Sequence, residues 1–162
     1  LDMGMVYGGY HSDHAFTVAV GEPSPEVAKL LKVTEEALWE GIRATRAGNR
    51  IGDIGHAIES HIVPHGFGIV RDYVGHGIGR ALHERPSVPN YGEPNQGTLL
   101  KEGFCLAIEP MTTLGRETTK VLDDGWTVVT RDGSMSAHFE HTVAITNRGP
   151  EVLTVLDGGV VA

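Results

Sequence analysis

An α+β fold, with helices covering one face of a β-sheet, is predicted by the order of segments along the chain. A strand-like stretch broken by a glycine pair comes first, two helical stripes follow, and short apolar strands fill the rest. Those strands alternate apolar and polar residues, as strands with one buried face do. A third observation concerns one run, Val74-Gly75-His76-Gly77-Ile78-Gly79-Arg80-Ala81-Leu82-His83-Glu84. It sets three glycines and two histidines close together. Glycine permits sharp bends and close backbone approach. Imidazole is the commonest protein metal ligand and an acid or base near neutral pH. An apolar run over residues 69–74 feeds this stretch and places His76 at a strand end.

Each element has its own warrant. Residues 1–7 are apolar apart from Asp2 and read as a strand, Gly8-Gly9 as a tight turn, and residues 10–20 as its partner. A two-residue loop there sets Tyr7 opposite Tyr10, Gly4 opposite Asp13 and Asp2 opposite Ala15. Asp2 and Asp13 then become diagonal neighbours on one face, about 5–8 Å apart at the backbone. Gly4, without a side chain, leaves room between them. Two carboxylates so placed repel unless a cation lies between them. Ser24-Pro25-Glu26 opens a helix with a cap, a proline at the first position and an acid in the first turn. Leu30, Leu31, Thr34, Leu38, Gly41 and Ile42 carry its stripe, and Gly48 ends it. Asp53 caps a second helix bearing Ile54, Ala57, Ile58, His61 and Ile62, shortened by Pro64 and closed near Gly66.

His61 and His65 have the spacing of a metal pair. They fall within the apolar stripe with no third ligand nearby, so His61 reads as a core histidine and His65 as a helix-end residue. Residues 86–97 hold three prolines and read as a surface loop. Residues 104–108 form a short strand ending in Glu109-Pro110-Met111. Residues 126–130 form another, 131–134 a turn, and 136–146 a longer strand. On that strand Phe139, His141, Val143 and Ile145 alternate with His138, Glu140, Thr142 and Ala144. Residues 152–156 make a closing strand or tail.

Composition excludes several classes of function. A chain of 162 residues with 40% hydrophobic content builds one sizeable core. No apolar run reaches membrane-spanning length. Cys105 is the one cysteine, so no internal disulfide forms, which fits a reducing, cytoplasmic setting. A formal charge of -8 with no basic block argues against nucleic acid as the main partner. An acidic chain instead has carboxylates with which to hold cations.

Asp2, Asp13, His76, Glu109 and Glu140 all fall in or at the ends of these strands and can share one sheet. Four carboxylates and one imidazole suit divalent manganese, iron, cobalt or zinc. Their charge is balanced by two divalent ions. Such a pair, about 3.5–4 Å apart with a bridging water, makes a hydrolytic centre. His83 stands where it can donate to a carbonyl oxygen as negative charge develops on it.

These residues resemble the type I methionine aminopeptidases, members of the pita-bread (creatinase/aminopeptidase) metallopeptidases. The resemblance rests on Tyr73-Val74-Gly75-His76-Gly77-Ile78-Gly79, on Ala107-Ile108-Glu109-Pro110-Met111, and on Gly125-Trp126-Thr127-Val128-Val129-Thr130 leading to Ser136-Ala137-His138-Phe139-Glu140-His141-Thr142. It implies a curved antiparallel sheet with helices on its outer face, forming one catalytic domain over residues 1–162. It implies two divalent ions (Co, Mn, Fe or Zn) on Asp2, Asp13, His76, Glu109 and Glu140. The implied reaction removes the N-terminal methionine of a nascent, ribosome-associated polypeptide whose second residue is small. His83 then supports the scissile carbonyl and Glu109 shuttles the proton. Leu82 and Trp126 wall the methionine pocket.

Two departures keep alternatives open. The first hairpin is more similar to aminopeptidase P and prolidase, which cut next to proline. Some pita-bread proteins have lost their metals and act as binding modules, but all five ligand types stand here. The resemblance also implies further strands, helices and a substrate-contacting histidine before residue 1. Asp2, so near a chain end, needs neighbours to hold its place. The expectation is therefore the C-terminal portion of a longer chain, either a piece cut from it or a fragment paired with a separate N-terminal half, and inactive alone.

Overall fold

The computed structural model describes residues 1–155 and the backbone of residues 159–160. Its strands are β1 (Asp2–Tyr7), β2 (Tyr10–Ala15), β3 (Gly68–Ile69), β4 (Gly75–Gly77), β5 (Glu84–Val88), β6 (Cys105–Ile108), β7 (Met111–Thr113), β8 (Thr119–Val121), β9 (Val128–Thr130), β10 (Ser136–His138), β11 (Glu140–Thr146), β12 (Gly149–Val152) and β13 (Gly159–Val160). The helices are α1 (Pro25–Ala44) and α2 (Ile51–Ile62), the latter followed by a 3₁₀ turn at Val63–His65. The main sheet runs β1-β2-β11-β6-β4-β5, with β12 also on β11 and β13 on β12. A smaller sheet runs β10-β7-β3, and β8 pairs with β9. All these pairings are antiparallel.

The first hairpin has the expected register: Tyr7 faces Tyr10, Gly4 faces Asp13 and Asp2 faces Ala15. Gly8 and Gly9 take φ of 57° and 80°, the left-handed pair that this turn demands. Its partner strand stops at Ala15, short of residue 20. Strand β1 is exposed along its whole length.

The helices form one layer over one face of the sheet. Ser24 caps α1 by accepting from the Val27 N–H at 3.3 Å. Gly41 lets α2 approach α1 closely, since a Cβ there would stand 2.8 Å from Ile58. Leu30, Leu38, Ile42, Ile54, Ile58 and Ile62 are buried against Leu106, Ile108, Val143 and Ile145 of the sheet. Thr34 of α1 donates to the Leu30 carbonyl at 2.7 Å and contacts the Thr112 hydroxyl at 2.5 Å, tying α1 to β7.

Several expected boundaries move, each for a local reason. Arg50, not Asp53, is the N-cap of α2. Asp53 sits three residues inside, and its carboxylate accepts from the Arg50 and Asn95 N–H groups at 2.6 and 2.7 Å. The run over residues 69–74 pairs only at Gly68–Ile69, and His76 lies in the middle of β4. Pro86 stands in edge strand β5, where its missing N–H costs no ladder bond. Strand β8, absent from the sequence-based reading, pairs with a β9 that begins at Val128, past Trp126. The strand expected over residues 136–146 splits at Phe139 into β10 and β11. Its partner splits too, at Glu109-Pro110, where proline offers no ladder donor. The register of β10 on β7 continues that of β11 on β6, so Glu140 stands opposite Glu109 across the break. Of the strand expected over residues 152–156 only Val152 is in a strand, as the end of β12 (Gly149–Val152), and Leu156 lies outside the described residues.

Candidate metal centre

Strand register brings the ligands together. Residues paired directly across a sheet project to the same face. Ala15 pairs with both Asp2 and Glu140, and Ala107 pairs with both Thr142 and His76. Asp13 lies two residues from Ala15 on the same side, and Glu109 two from Ala107. One face therefore carries Asp2, Asp13, Glu140, His76 and Glu109, with Gly4, Ala15 and Ala107 as small residues among them. The opposite face carries His14, His141, Val143, Leu106 and Ile108.

Donor atoms of Asp13, His76 and Glu140 lie within 4.8 Å of one another. All three side chains are buried, whereas Asp2 is exposed. Thr142 clamps the main chain of Asp13, accepting from its N–H at 2.9 Å and donating to its carbonyl at 2.8 Å. The His76 Nδ1–H donates to the Gly77 carbonyl at 2.9 Å, leaving the Nε2 lone pair for the centre. That Nε2 is 3.7 Å from Glu109 Oε1. Gly75 and Gly77 serve close approach rather than a bend. A Cβ on them would stand 2.4 Å from the Ala107 carbonyl oxygen and 2.3 Å from that of Arg85. Behind the centre His14 donates from Nδ1 to the Glu140 carbonyl at 2.6 Å and stacks on His141 at 4.7 Å.

The electrostatics favour a cation at this centre. Glu140 is 2% exposed, and its Oε1 has no hydrogen-bond partner among the described residues. Burial pushes its carboxyl up to about 9, with Glu109, Asp13 and Asp2 adding repulsion. Burial, then Asp2, also raises the Asp13 carboxyl. A buried acid without a partner is costly. The orphaned oxygen and the hard oxygen and imidazole donors fit a divalent ion.

His83 is exposed, with its ring 4.3 Å from that of His76 in an edge-on contact. Its loop is held to the first hairpin. Gly79 accepts from the His11 N–H at 2.7 Å, and Arg80 covers the Tyr10 ring at 4.0 Å. A cavity of about 310 Å³ opens beside Asp2 and Glu109, walled by Val70, Met111, Val128 and Ala137. Leu82 and Trp126 are not among its walls. Leu82 packs over Gly4, where a Cβ would stand 3.5 Å from it. Trp126 is 86% exposed in the turn between β8 and β9. His61 is half-buried, 3.4 Å from Glu36, and packs on His65. His138, not singled out from the sequence, also lines the cavity and sets Nε2 3.5 Å from Glu109 Oε2. Its signal was the polar alternation it shares with Glu140 and Thr142.

The sequence matches Metallopeptidase family M24 over residues 1–147. It is 50% identical over 157 residues to a methionine aminopeptidase of Clostridium acetobutylicum, covering 97% of this chain and 63% of that protein. Among solved structures it is similar to the methionine aminopeptidase of Thermotoga maritima, with a TM-score of 0.93 and 49% identity over 94% of this chain and 61% of that one. The prolidase of Pyrococcus furiosus is more distant, with a TM-score of 0.72 and 27% identity over 96% of this chain and 40% of that one. The chain thus spans less than two thirds of the length of these relatives.

Proposed function

The chain belongs to metallopeptidase family M24, and from that premise we propose that the protein it comes from is a methionine aminopeptidase. The proposed reaction removes an N-terminal methionine ahead of a small residue. The supporting observation is an acidic sheet face that adjoins a cavity walled in part by apolar side chains, with Asp2 and Glu109 lining it and Glu109 3.7 Å from His76. An unbranched thioether side chain suits a cavity of about 310 Å³ walled by Val70, Met111, Val128 and Ala137. The greater likeness to methionine aminopeptidases than to prolidase favours this reading over cleavage beside proline. An intact ligand set favours it over a binding module.

In this reading Asp2, Asp13, His76, Glu109 and Glu140 hold two divalent ions, of manganese, iron, cobalt or zinc. When bound, the ions supply Lewis acidity and an activated water. Glu109, at the edge of the cluster, receives a proton and delivers it to the leaving amine. His83, its ring 4.3 Å from that of His76, donates to the scissile carbonyl oxygen. The cavity orients the first side chain and excludes water from it. The substrate class is the free N-terminus of newly made polypeptides, met in the cytoplasm at the ribosome. Among the described residues no helix is long and apolar enough to cross a membrane.

The test uses the longest natural form of the protein, assayed on a methionine-alanine peptide beside an alanine-proline peptide. Cleavage of the first alone, lost with chelator and restored by manganese or cobalt, is expected. Cleavage that persists with metal shown to be absent, or a preference for proline substrates, overturns the reading.

A further inference from the structure

Glu109 stands between two imidazoles, and only His76 belongs to the ligand set. On its other side His138 brings Nε2 to 3.5 Å from Glu109 Oε2. That nitrogen is buried and has no hydrogen-bond partner among the described residues. We propose that His138 is a positioning residue, whose Nε2–H donates to Glu109 Oε2 and so fixes the rotation of that carboxylate.

The backbone supports this role. Thr17 clamps His138 as Thr142 clamps Asp13. Its hydroxyl donates to the His138 carbonyl at 2.7 Å and accepts from the His138 N–H at 2.9 Å. The same pair of bonds holds Asp13, a member of the candidate ligand set. Strand β10 is also paired with β7, with His138 opposite Met111, two residues beyond Glu109. Phe139 donates its N–H to the Pro110 carbonyl at 3.3 Å, and Asn90 Nδ2 donates to the Glu109 carbonyl at 3.1 Å. The Glu109 main chain is therefore fixed from two sides, and its carboxylate rotation is the freedom left. With Oε2 committed to His138, Oε1 faces the centre beside His76. Proton transfer requires this kind of fixed geometry in its donor and acceptor.

This inference rests on Glu109 acting in the proposed reaction. Its test therefore has two arms. In the Mn²⁺-loaded protein, His138→Ala should lower kcat about 10–100-fold with KM within about threefold. His138→Gln, whose amide nitrogen reaches the same oxygen, should recover kcat to within about threefold of the original. Mn²⁺ affinity by calorimetry should stay within about threefold in both variants. The second arm needs no activity and no change at residue 138: imidazole ¹⁵N spectra should show a protonated Nε2 on His138 whose resonance moves in Glu109→Gln. An unchanged kcat in His138→Ala, a change in KM alone, failure of His138→Gln to recover, loss of metal, or an Nε2 signal indifferent to Glu109→Gln would each overturn the role. If the original protein fails to cleave a methionyl peptide, the proposed function falls, and the ¹⁵N arm still decides whether His138 holds Glu109.

Discussion

Strand β11 presents two faces of opposite character. Toward the helices it turns Phe139 at its head, then Val143 and Ile145, all packed into the apolar core. His141 on that side is also buried, with Trp39 beside it, and burial holds its imidazole down to about 4, hence neutral at pH 7. Toward the candidate metal centre it turns Glu140, equally buried but with an oxygen that has no hydrogen-bond partner among the described residues. Both faces exclude water, yet only one lowers the free energy of the metal-free fold. The helix face stabilises through contact, whereas burial and mutual repulsion of its carboxylates oppose folding on the acidic face, a cost that a bound cation would offset. Burial alone therefore separates packing residues from functional ones poorly; at Glu140 the added sign is a carboxylate oxygen without a partner beside other acidic side chains.

The contrast breaks most visibly on the helix side. Ile58→Ala leaves a cavity where α2 meets Gly41 of α1. It should cost about 2–5 kcal/mol of unfolding free energy in denaturant titration. Divalent-ion binding by the folded fraction should not change. If binding changed with it, the two faces would not be separable.

Glu140→Gln should act in the other direction on the metal-free chain. The folded carboxyl is held at about 9 against an ordinary 4.5. Between those values the folded state keeps a proton that the unfolded chain releases. Stability should then fall as pH rises, by at most about 1.4 kcal/mol per unit from this group. At pH 7 the glutamine variant should be more stable, by on the order of 3 kcal/mol, and should lose most of that slope. Thermal melts from pH 5 to 9 in chelator check both. A variant no more stable than the original, with the same slope, would show that the acidic face carries no strain.

A smaller effect separates the clamp from the charge. Thr142→Val keeps the shape but removes both bonds to the Asp13 main chain. It should cost about 1–2 kcal/mol in stability. It should also weaken divalent-ion binding several-fold, measured by calorimetry, because Asp13 loses its fixed place. Unaltered binding would mean that the sheet alone positions Asp13.

Much of this arrangement was legible in the sequence. The Gly8-Gly9 turn set the hairpin register, and that register put Asp2, Gly4 and Asp13 on one face. The alternation over residues 138–145 separated the two faces of β11. What stayed illegible depends on pairing with distant residues. Pro86 looks like a loop residue until β5 proves to be an edge strand. The split at Phe139 follows from Pro110, some thirty positions earlier, and not from anything in its own strand. Asp53 has the chemistry of a cap, but Gly97, accepting from Arg50, and the Leu99 bridge to Arg50 draw the helix start three residues back. His138 was visible only as one polar residue among several. Its importance lies in a distance to Glu109, which no spacing reveals.

The central claim is that Asp13, His76 and Glu140 form a divalent-ion site, and ligand-induced stabilisation tests it on this chain directly. Thermal melts at pH 7 would compare the chain in chelator with the chain in millimolar Mn²⁺, beside Glu140→Gln. A ligand that binds the folded state at about 100 times its Kd adds about 2.7 kcal/mol. The account predicts a rise in the midpoint of the original chain on adding Mn²⁺ and little or none in Glu140→Gln. No rise in the original chain, or an equal rise in both, would contradict it.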